Sequence, residues 1–153
     1  MTQGGKIALL VAGIGAVILG GGALVSTTTS KRGCTPQPSA PSAGIGAVAN
    51  AIAFAENSNP AWNNPGDLTT SFGFQTVGVV NSAGVLSFAR CADGWNALYA
   101  QLQLIVSGGS RYSLGDTIRS FGQGYSGGDP NWAANVSAQL GVSPDTPLSE
   151  VLT

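Results

Sequence analysis

The sequence contains no histidine among its 153 residues. Histidine is the usual general base beside a Ser or Cys nucleophile and the commonest metal ligand in proteins. Its absence therefore excludes Ser-His and Cys-His nucleophile pairs and every His-based metal site.

Charge and cysteine are also scarce. Six basic and seven acidic side chains leave a net charge of -1. Nucleic-acid binding needs a basic patch, so this composition disfavours a nucleic-acid partner. The two cysteines, Cys34 and Cys91, are too few for a disulfide framework. One bridge between them requires an oxidising compartment, and the sequence leaves their pairing open.

A long apolar run follows the short polar start Met1–Lys6. Ile7–Val25 contains no charged side chain, and as a helix it would span roughly 28 Å, close to the hydrocarbon thickness of a bilayer. We interpret it as an uncleaved transmembrane helix. The alternative is a cleaved signal peptide, whose apolar region is usually shorter, about 7–15 residues. Basic residues flank the run on both sides, so the positive-inside rule gives no orientation.

Small residues recur at every fourth position of this predicted helix and form a stripe on one face. Such a stripe allows a second helix to approach closely, which would make the protein a homo- or hetero-oligomer in the bilayer. A glycine- and alanine-rich span without a partner is equally compatible with the pattern. The stripe consists of Gly4, Ala8, Ala12, Ala16 and Gly20.

The apolar run is followed by a linker and one domain. Ser26–Ala43 is rich in Ser, Thr and Pro, and its three prolines break helices and favour extended chain. We interpret it as a tether that holds the domain away from the membrane. Gly44–Thr153 is long enough for one domain with a modest core.

The domain begins with an apolar helix that ends on an acid. Ser42 is the predicted N-cap, and the helix runs to about Glu56. Its apolar residues share one face at about 3.6 residues per turn, and Glu56 falls near the middle of that face. The face consists of Ile45, Val48, Ala49, Ile52 and Ala53.

A hairpin and the clearest helix come next. Phe74–Val77 and Val85–Phe88 predict two short strands joined by a turn. Asp93 is the predicted cap of a helix in which Trp95–Val106 carries apolar residues at helical spacing. Gly108 is its predicted end.

Three shorter helices complete the domain. Ser113, Asp129-Pro130 and Thr146-Pro147 are the predicted starts, because a capping residue or a Pro at the first helical position favours helix initiation. Gly122–Gly128 is predicted to be a loop. Gly141 is predicted to end the helix that starts at Asp129-Pro130. The sequence thus predicts an α+β domain, mostly helical, with one short hairpin.

Two acids are candidate catalytic residues. Glu56 lies on an apolar helix face, where burial raises the pKa of a carboxyl so that it keeps a proton near neutrality. A protonated carboxyl is the general acid that glycosidic cleavage requires, although Glu56 could also be a plain exposed helix end. Asp67 follows the turn that starts at Asn63. It is a candidate base, nucleophile or stabiliser of positive charge, or simply a turn residue.

Four further residues are candidates for binding a sugar. Asn63 and Asn64 offer amides that suit hydroxyl or acetamido groups, and both also suit a turn. Trp62 and Tyr125, which lie in predicted loops, are candidate stacking rings. The aromatic residues at helical core spacing are expected to pack in the core instead: Trp95, Tyr99 and Trp132.

Four segments, in this order, resemble a family of phage and bacterial proteins with a lysozyme-like fold. In that family a helix with the pattern A-I-A-x-x-E leads into N-N-P-G-N-L, then D-G-W-x-A-L and a late L-G-V-x-P-D-T-P-L. The corresponding segments are Ile52–Glu56, Asn63–Leu68, Asp93–Leu98 and Leu140–Leu148. The resemblance covers nearly all of Gly44–Leu152.

The resemblance implies a peptidoglycan-cleaving muramidase, in particular a lytic transglycosylase, with Glu56 as the catalytic acid and no metal or cofactor. Asp67 departs from the family, which has Asn there, and an acid in the cleft would favour hydrolysis. The segment between Glu56 and Asn63 is short, so the resemblance leaves the width of the cleft open. The alternative is a non-catalytic structural protein of a virion or envelope membrane with the same fold.

The expected location follows from the predicted anchor and the resemblance. We expect a single-pass protein of a virion inner membrane or a bacterial cytoplasmic membrane, with the domain facing the periplasm or cell wall. Its expected partners are a peptidoglycan strand and the lipid bilayer. Virion entry and host lysis are both compatible with this arrangement.

Overall fold

The computed structural model describes Cys34 and residues 43–153, and this part of the chain is an α+β fold, as predicted. It contains five α-helices, a two-stranded antiparallel hairpin and a 3-10 helix at Pro60–Trp62 that the sequence did not indicate. The elements are α1 (Ile45–Glu56), β1 (Thr76–Val79), β2 (Leu86–Phe88), α2 (Cys91–Val106), α3 (Ile118–Tyr125), α4 (Trp132–Leu140) and α5 (Leu148–Leu152).

Several predictions lie outside the described residues. They are the polar start Met1–Lys6, the apolar run Ile7–Val25 with its small-residue stripe, and the linker Ser26–Ala43 apart from Cys34 and Ala43. Within the described residues, none of the helices combines the length and the apolar character needed to cross a membrane.

Helix α1 is the central element of the core. It packs against α4, α2 and α5, and six of its twelve residues are buried, while Phe54 is the one exposed residue of the helix. The predicted Ser42 cap is wrong, because Gly44 is the N-cap residue. Gly44 has a φ of 92°, which glycine adopts readily, and its N–H donates to the Val151 carbonyl of α5 at 2.7 Å. A contact with another element therefore sets the start of α1.

Helix α2 begins two residues before the predicted cap Asp93. Arg90 occupies the N-cap position, and Asp93 lies in the first turn, where a negative charge is favourable. The Arg90 guanidinium donates two hydrogen bonds to the Asp93 carboxylate, at 3.0 and 2.8 Å. Asp93 thus stabilises the helix start from inside it. The helix ends at Val106, close to the predicted stop.

Helix α3 starts later and ends later than predicted. Its cap is Thr117, not Ser113, and Thr117 forms a reciprocal capping box with Ser120. The helix continues to Tyr125, so the predicted loop Gly122–Gly128 is helical in its first half. Gly122 has a packing role, because a Cβ there would lie 2.6 Å from Cε3 of Trp132 in α4. The glycine allows α3 and α4 to pack closely.

Helix α4 starts two residues after the predicted Asp129-Pro130 signal, with Asn131 as the N-cap. The Asp129 carboxylate instead accepts the Asn131 N–H at 2.8 Å, so it shapes the turn before the helix. Gly141 ends α4 with a φ of 70°, as predicted. Helix α5 begins after Pro147, close to the predicted start.

The hairpin is confirmed, with β1 two residues later than predicted. Val79 pairs with Leu86 in an antiparallel register. The two cysteines form a disulfide, with a Cα–Cα distance of 5.2 Å between Cys34 and Cys91. This bridge connects the linker segment to the first residue of α2.

Candidate functional site

A cavity of about 460 Å³ contains both predicted catalytic acids. Glu56 and Asp67 line it, and we call it the Glu56 cavity. Residues of the hairpin turn, of α2 and of the end of α3 also line it. A second cavity of about 530 Å³ has no ionisable group among its described lining residues. Of these two cavities, the Glu56 cavity is therefore the one that can supply an acid or a base.

Glu56 is placed at the cavity by the end of α1. The next residue, Asn57, takes a left-handed conformation with a φ of 45°, and its N–H bonds to the Ala53 carbonyl. Asparagine adopts this conformation more readily than most residues, so the helix stops directly after the acid. The carboxyl of Glu56 then meets α4, where its Oε1 accepts a hydrogen bond of 2.7 Å from Trp132 Nε1.

The environment of Glu56 raises its pKa to about 7. Burial is the largest cause, because it disfavours the charged carboxylate. The Trp132 hydrogen bond lowers the pKa, since it stabilises the carboxylate, and the nearby charges of Asp67 and Asp129 raise it. At neutral pH the group is therefore present in both protonation states, as a residue that acts first as acid and then as base requires.

Asp67 lines the same cavity from the turn after Asn63. Its φ of 47° is left-handed, a conformation that Asp and Asn tolerate better than other residues with a side chain. Burial raises the pKa of Asp67, and the nearby Ser58 hydroxyl opposes this effect. Asp67 Oδ1 is buried and has no hydrogen-bond partner among the described residues. The Ser58 hydroxyl, which is also buried without a described partner, and a hydroxyl group of a ligand are both donors that would satisfy this oxygen.

The two predicted sugar-binding asparagines hold the turn to the hairpin. Asn64 is 1% exposed, and its amide nitrogen donates to the carbonyls of Leu68 and Leu86 at 2.9 and 2.8 Å. The Asn63 amide nitrogen donates to the Phe88 carbonyl at 3.0 Å. Neither residue lines the Glu56 cavity. Their hydrogen bonds position Asp67 relative to β2.

The two predicted stacking rings are separated. Trp62 is half-buried at the end of the 3-10 helix and does not line the Glu56 cavity. Tyr125 does line it, but from the last residue of α3 rather than from a loop. Its hydroxyl donates to the Gly66 carbonyl at 2.7 Å, which secures the backbone beside Asp67.

Tyr125 is also part of the packing behind the acid. Its ring lies 5.2 Å from the Trp132 ring and 5.1 Å from the Phe121 ring, measured between centroids. Burial raises the pKa of Tyr125 well above its usual value, and the charges of Glu56 and Asp67 add to this. The residue is therefore a neutral hydrogen-bond donor whose ring supports Trp132.

Two glycines allow the motifs to pack around the cavity. A Cβ on Gly94 of α2 would lie 1.8 Å from the Asn63 carbonyl oxygen, so only glycine lets α2 approach the turn. A Cβ on Gly66 would lie 2.8 Å from the Tyr125 hydroxyl oxygen. The Gly94 contact joins two of the segments on which the family resemblance rests, Asn63–Leu68 and Asp93–Leu98.

Sequence reasoning missed three polar groups at this site. Trp132 was predicted to be core and is 1% exposed, yet its N–H is the hydrogen-bond partner of Glu56. A buried Trp usually needs such a partner, which was the available signal. Gln101 and Arg111 line the cavity, and Gln101 Oε1 is buried without a described partner. Nothing in the local pattern singled out these two.

The described residues contain no group of three or more Cys, Asp or Glu side chains that could hold a metal ion. Comparisons of the chain with family models, curated proteins and solved structures found no match. The arrangement of the cavity is therefore the main evidence on function.

Proposed function

We propose that the protein is a membrane-anchored peptidoglycan lytic transglycosylase with a lysozyme-like domain, of the kind that a phage uses to breach a host wall. It would cleave the β-1,4 bond between N-acetylmuramic acid and N-acetylglucosamine. The observation that carries the proposal is the Glu56 carboxyl. It lines the cavity, its pKa is about 7, and it accepts a hydrogen bond from Trp132. A glycosidase needs such a carboxyl as its general acid.

In the first step, protonated Glu56 donates its proton to the glycosidic oxygen, and the bond from that oxygen to C1 of the muramoyl residue breaks. The muramoyl C1 then carries oxocarbenium-like positive charge. In the second step, the C6 hydroxyl of the same muramoyl residue attacks C1, and ionised Glu56 accepts the hydroxyl proton. The product is a 1,6-anhydromuramoyl end, and Glu56 returns to its protonated form.

Asp67 has two roles in this scheme. As a carboxylate it stabilises the positive charge at C1, and its charge also helps Glu56 to keep its proton. If Asp67 positions a water molecule, that water attacks C1 and the product is a free reducing end. The ratio of anhydro ends to reducing ends measures which role dominates.

The location of the domain is part of the proposal. We infer that Ile7–Val25 anchors the chain in a virion inner membrane or a bacterial cytoplasmic membrane. The Cys34–Cys91 disulfide supports a domain that faces the periplasm or cell wall, because disulfides persist in oxidising compartments and are rare in the cytosol. Oligomers formed through the Ala12 face of the predicted span remain a prediction.

The test uses the full-length protein in detergent, incubated with purified sacculi, with mass spectrometry of the released muropeptides. Anhydro ends are expected from the wild type, and Glu56→Gln should release none. Reducing ends in place of anhydro ends would assign the protein to the hydrolases. Absence of cleavage by the wild type between pH 5 and pH 8 would contradict both reactions and favour a non-catalytic structural protein of a virion or envelope membrane.

A further inference from the structure

We propose, on the basis of the function proposed above, that Arg111 binds a carboxylate of the peptidoglycan substrate and thereby orients the muramoyl residue in the Glu56 cavity. Arg111 lines the same cavity as Glu56 and Asp67. The ligand class is an anionic glycan, whose carboxylate is either a group of the stem peptide or, on muramoyl residues that carry no peptide, the free lactyl group.

The first support comes from the charge partners of the arginines. The structure describes three arginines, and two of them form salt bridges: Arg90 with Asp93 at 2.8 Å and Arg119 with Asp145 at 2.7 Å. Arg111 has no acidic partner among the described residues. It is thus the described arginine whose charge is available to a ligand.

The second support is the way in which the Arg111 side chain is held. Its Nη2 donates to the Tyr112 hydroxyl at 2.6 Å and to the Gly124 carbonyl at 2.9 Å. Its Cζ lies 4.8 Å from the centroid of the Tyr112 ring. An exposed arginine usually samples many rotamers, so three contacts that hold it in place reduce the entropy lost when it binds a ligand.

The third support is the set of donors that remains. A guanidinium has five N–H donors in a fixed plane. The contacts with Tyr112 and Gly124 use only Nη2, so Nε and Nη1 of Arg111 have no partner among the described residues. A carboxylate is the group that such a planar set of donors binds best.

The other polar groups of the cavity explain why the ligand is a glycan with a separate carboxylate. Asp67 Oδ1 and Gln101 Oε1 are buried acceptors without described partners, and they suit hydroxyl or amide donors of a sugar. A carboxylate would be repelled by Asp67 and attracted by Arg111. A substrate with neutral hydroxyls at one place and one carboxylate at another therefore matches the cavity in only one orientation.

The experiment measures binding without cleavage. Full-length protein carrying Glu56→Gln is compared with the same protein carrying also Arg111→Gln, in detergent, by calorimetric titration. The ligands are soluble glycan strands with stem peptides and strands stripped of peptides by an amidase. Each is used before and after its carboxyl groups are converted to methylamides. Arg119→Gln is the matched control, because it removes the same charge from a residue outside the cavity.

We expect Arg111→Gln to weaken binding of carboxylated strands about tenfold, as expected when one hydrogen-bonded charge pair is lost. It should have no effect on methylamide strands, and Arg119→Gln should change neither Kd. A loss with stripped strands identifies the lactyl carboxylate, and a loss confined to strands with peptides identifies the stem peptide.

Three results would overturn the proposal: equal binding with and without Arg111→Gln, an equal loss on methylamide strands, or no binding of any strand. Cleavage by the protein with Glu56 intact is scored separately. An inactive wild type whose binding still depends on Arg111 and on carboxylates would therefore contradict the transglycosylase alone. An active enzyme whose binding ignores Arg111 would contradict the carboxylate site alone.

Discussion

At the scale of single residues, the behaviour of the site depends on how Glu56 is solvated. Burial raises the pKa of Glu56, and the Trp132 N–H, which donates to the carboxylate at 2.7 Å, lowers it. The resulting pKa is about 7. The two effects together keep the group near the midpoint of its titration at neutral pH. Changes to either effect should therefore appear in the pH dependence of activity and of stability.

Trp132→Phe should move the alkaline limb of the pH–rate profile to higher pH. The substitution removes a donor that stabilises the Glu56 carboxylate, so the pKa of Glu56 rises. The control is Trp95→Phe, because Trp95 is also a buried tryptophan but its Nε1 has no partner among the described residues. A profile that moves equally in both variants would refute the role of the hydrogen bond.

Glu56→Gln should stabilise the protein at pH 8 and have little effect at pH 5. The folded state raises the pKa of Glu56 from 4.5 to about 7, so it binds more protons than the unfolded state and loses stability as pH rises through this interval. The loss is at most roughly 3 kcal/mol, and a neutral Gln avoids it. Urea unfolding at both pH values measures this effect. The control is Glu150→Gln, which makes the same change at an exposed acid outside the Glu56 cavity.

Asp67→Asn restores the residue of the family motif and should increase the ratio of anhydro to reducing ends. It removes the carboxylate that would position a water molecule, and it also removes a charge that raises the pKa of Glu56. The alkaline limb of the activity profile should therefore move to lower pH. Mass spectrometry of the products across the pH range measures both effects, and an unchanged product ratio would show that Asp67 does not direct water.

At the scale of elements, the site depends on close approach between α2 and the turn that carries Asp67. Gly94 makes this possible, and the hydrogen bonds of Asn63 and Asn64 then tie the turn to β2. The cavity walls are therefore held together by contacts between a helix, a turn and a hairpin. A change at a contact between elements should cost more than the same change within one element.

Gly94→Ala should destabilise the protein by several kcal/mol, because its Cβ would lie 1.8 Å from the Asn63 carbonyl oxygen and the backbone would have to move. Gly46→Ala is the matched control. Gly46 lies in α1, and among the described residues no atom beyond its chain neighbours and the backbone of that helix lies within 4 Å of the position that its Cβ would occupy, so Ala should stabilise the helix by about 0.5–1 kcal/mol. Denaturant unfolding distinguishes the two, and a similar effect in both would disprove the close contact.

At the scale of the whole molecule, the Cys34–Cys91 disulfide links the linker segment to the core of the domain. The bridge closes a chain segment with a sequence separation of 57 residues. Cross-links of this kind stabilise a domain mainly because they reduce the freedom of the unfolded chain. The segment that the bridge closes includes α1, the turn that carries Asp67 and the whole hairpin, so the bridge constrains the elements that carry both acids of the Glu56 cavity.

Reduction of the disulfide should lower the free energy of unfolding by roughly 2–4 kcal/mol. Thermal unfolding of the full-length protein, with and without reductant, measures the loss as a fall in Tm. The control is Cys34→Ser with Cys91→Ser, which should match the reduced wild type and should not respond to reductant. A wild type with the same Tm under both conditions would contradict a stabilising bridge.

Much of the fold could be predicted from local signals. The apolar spacing of α1 and α2, the turn between the strands and the Gly141 stop each depend on residues that are neighbours along the chain. The wrong helix starts have a common cause. The helices begin after Gly44, Arg90 and Thr117, but several nearby residues are equally plausible N-caps from the sequence. Local propensity does not choose between such competitors.

The α+β class, the position of Glu56 at the end of an apolar helix and the absence of histidine chemistry can all be read from the amino-acid sequence. Three features of the site follow from how the elements pack: Trp132 donates to Glu56, the Asn64 amide bonds within the turn, and Arg111 lines the same cavity as the acids. Trp132 and Glu56 are 76 positions apart in the chain. Packing of the core, rather than any local pattern, sets the distance between such residues.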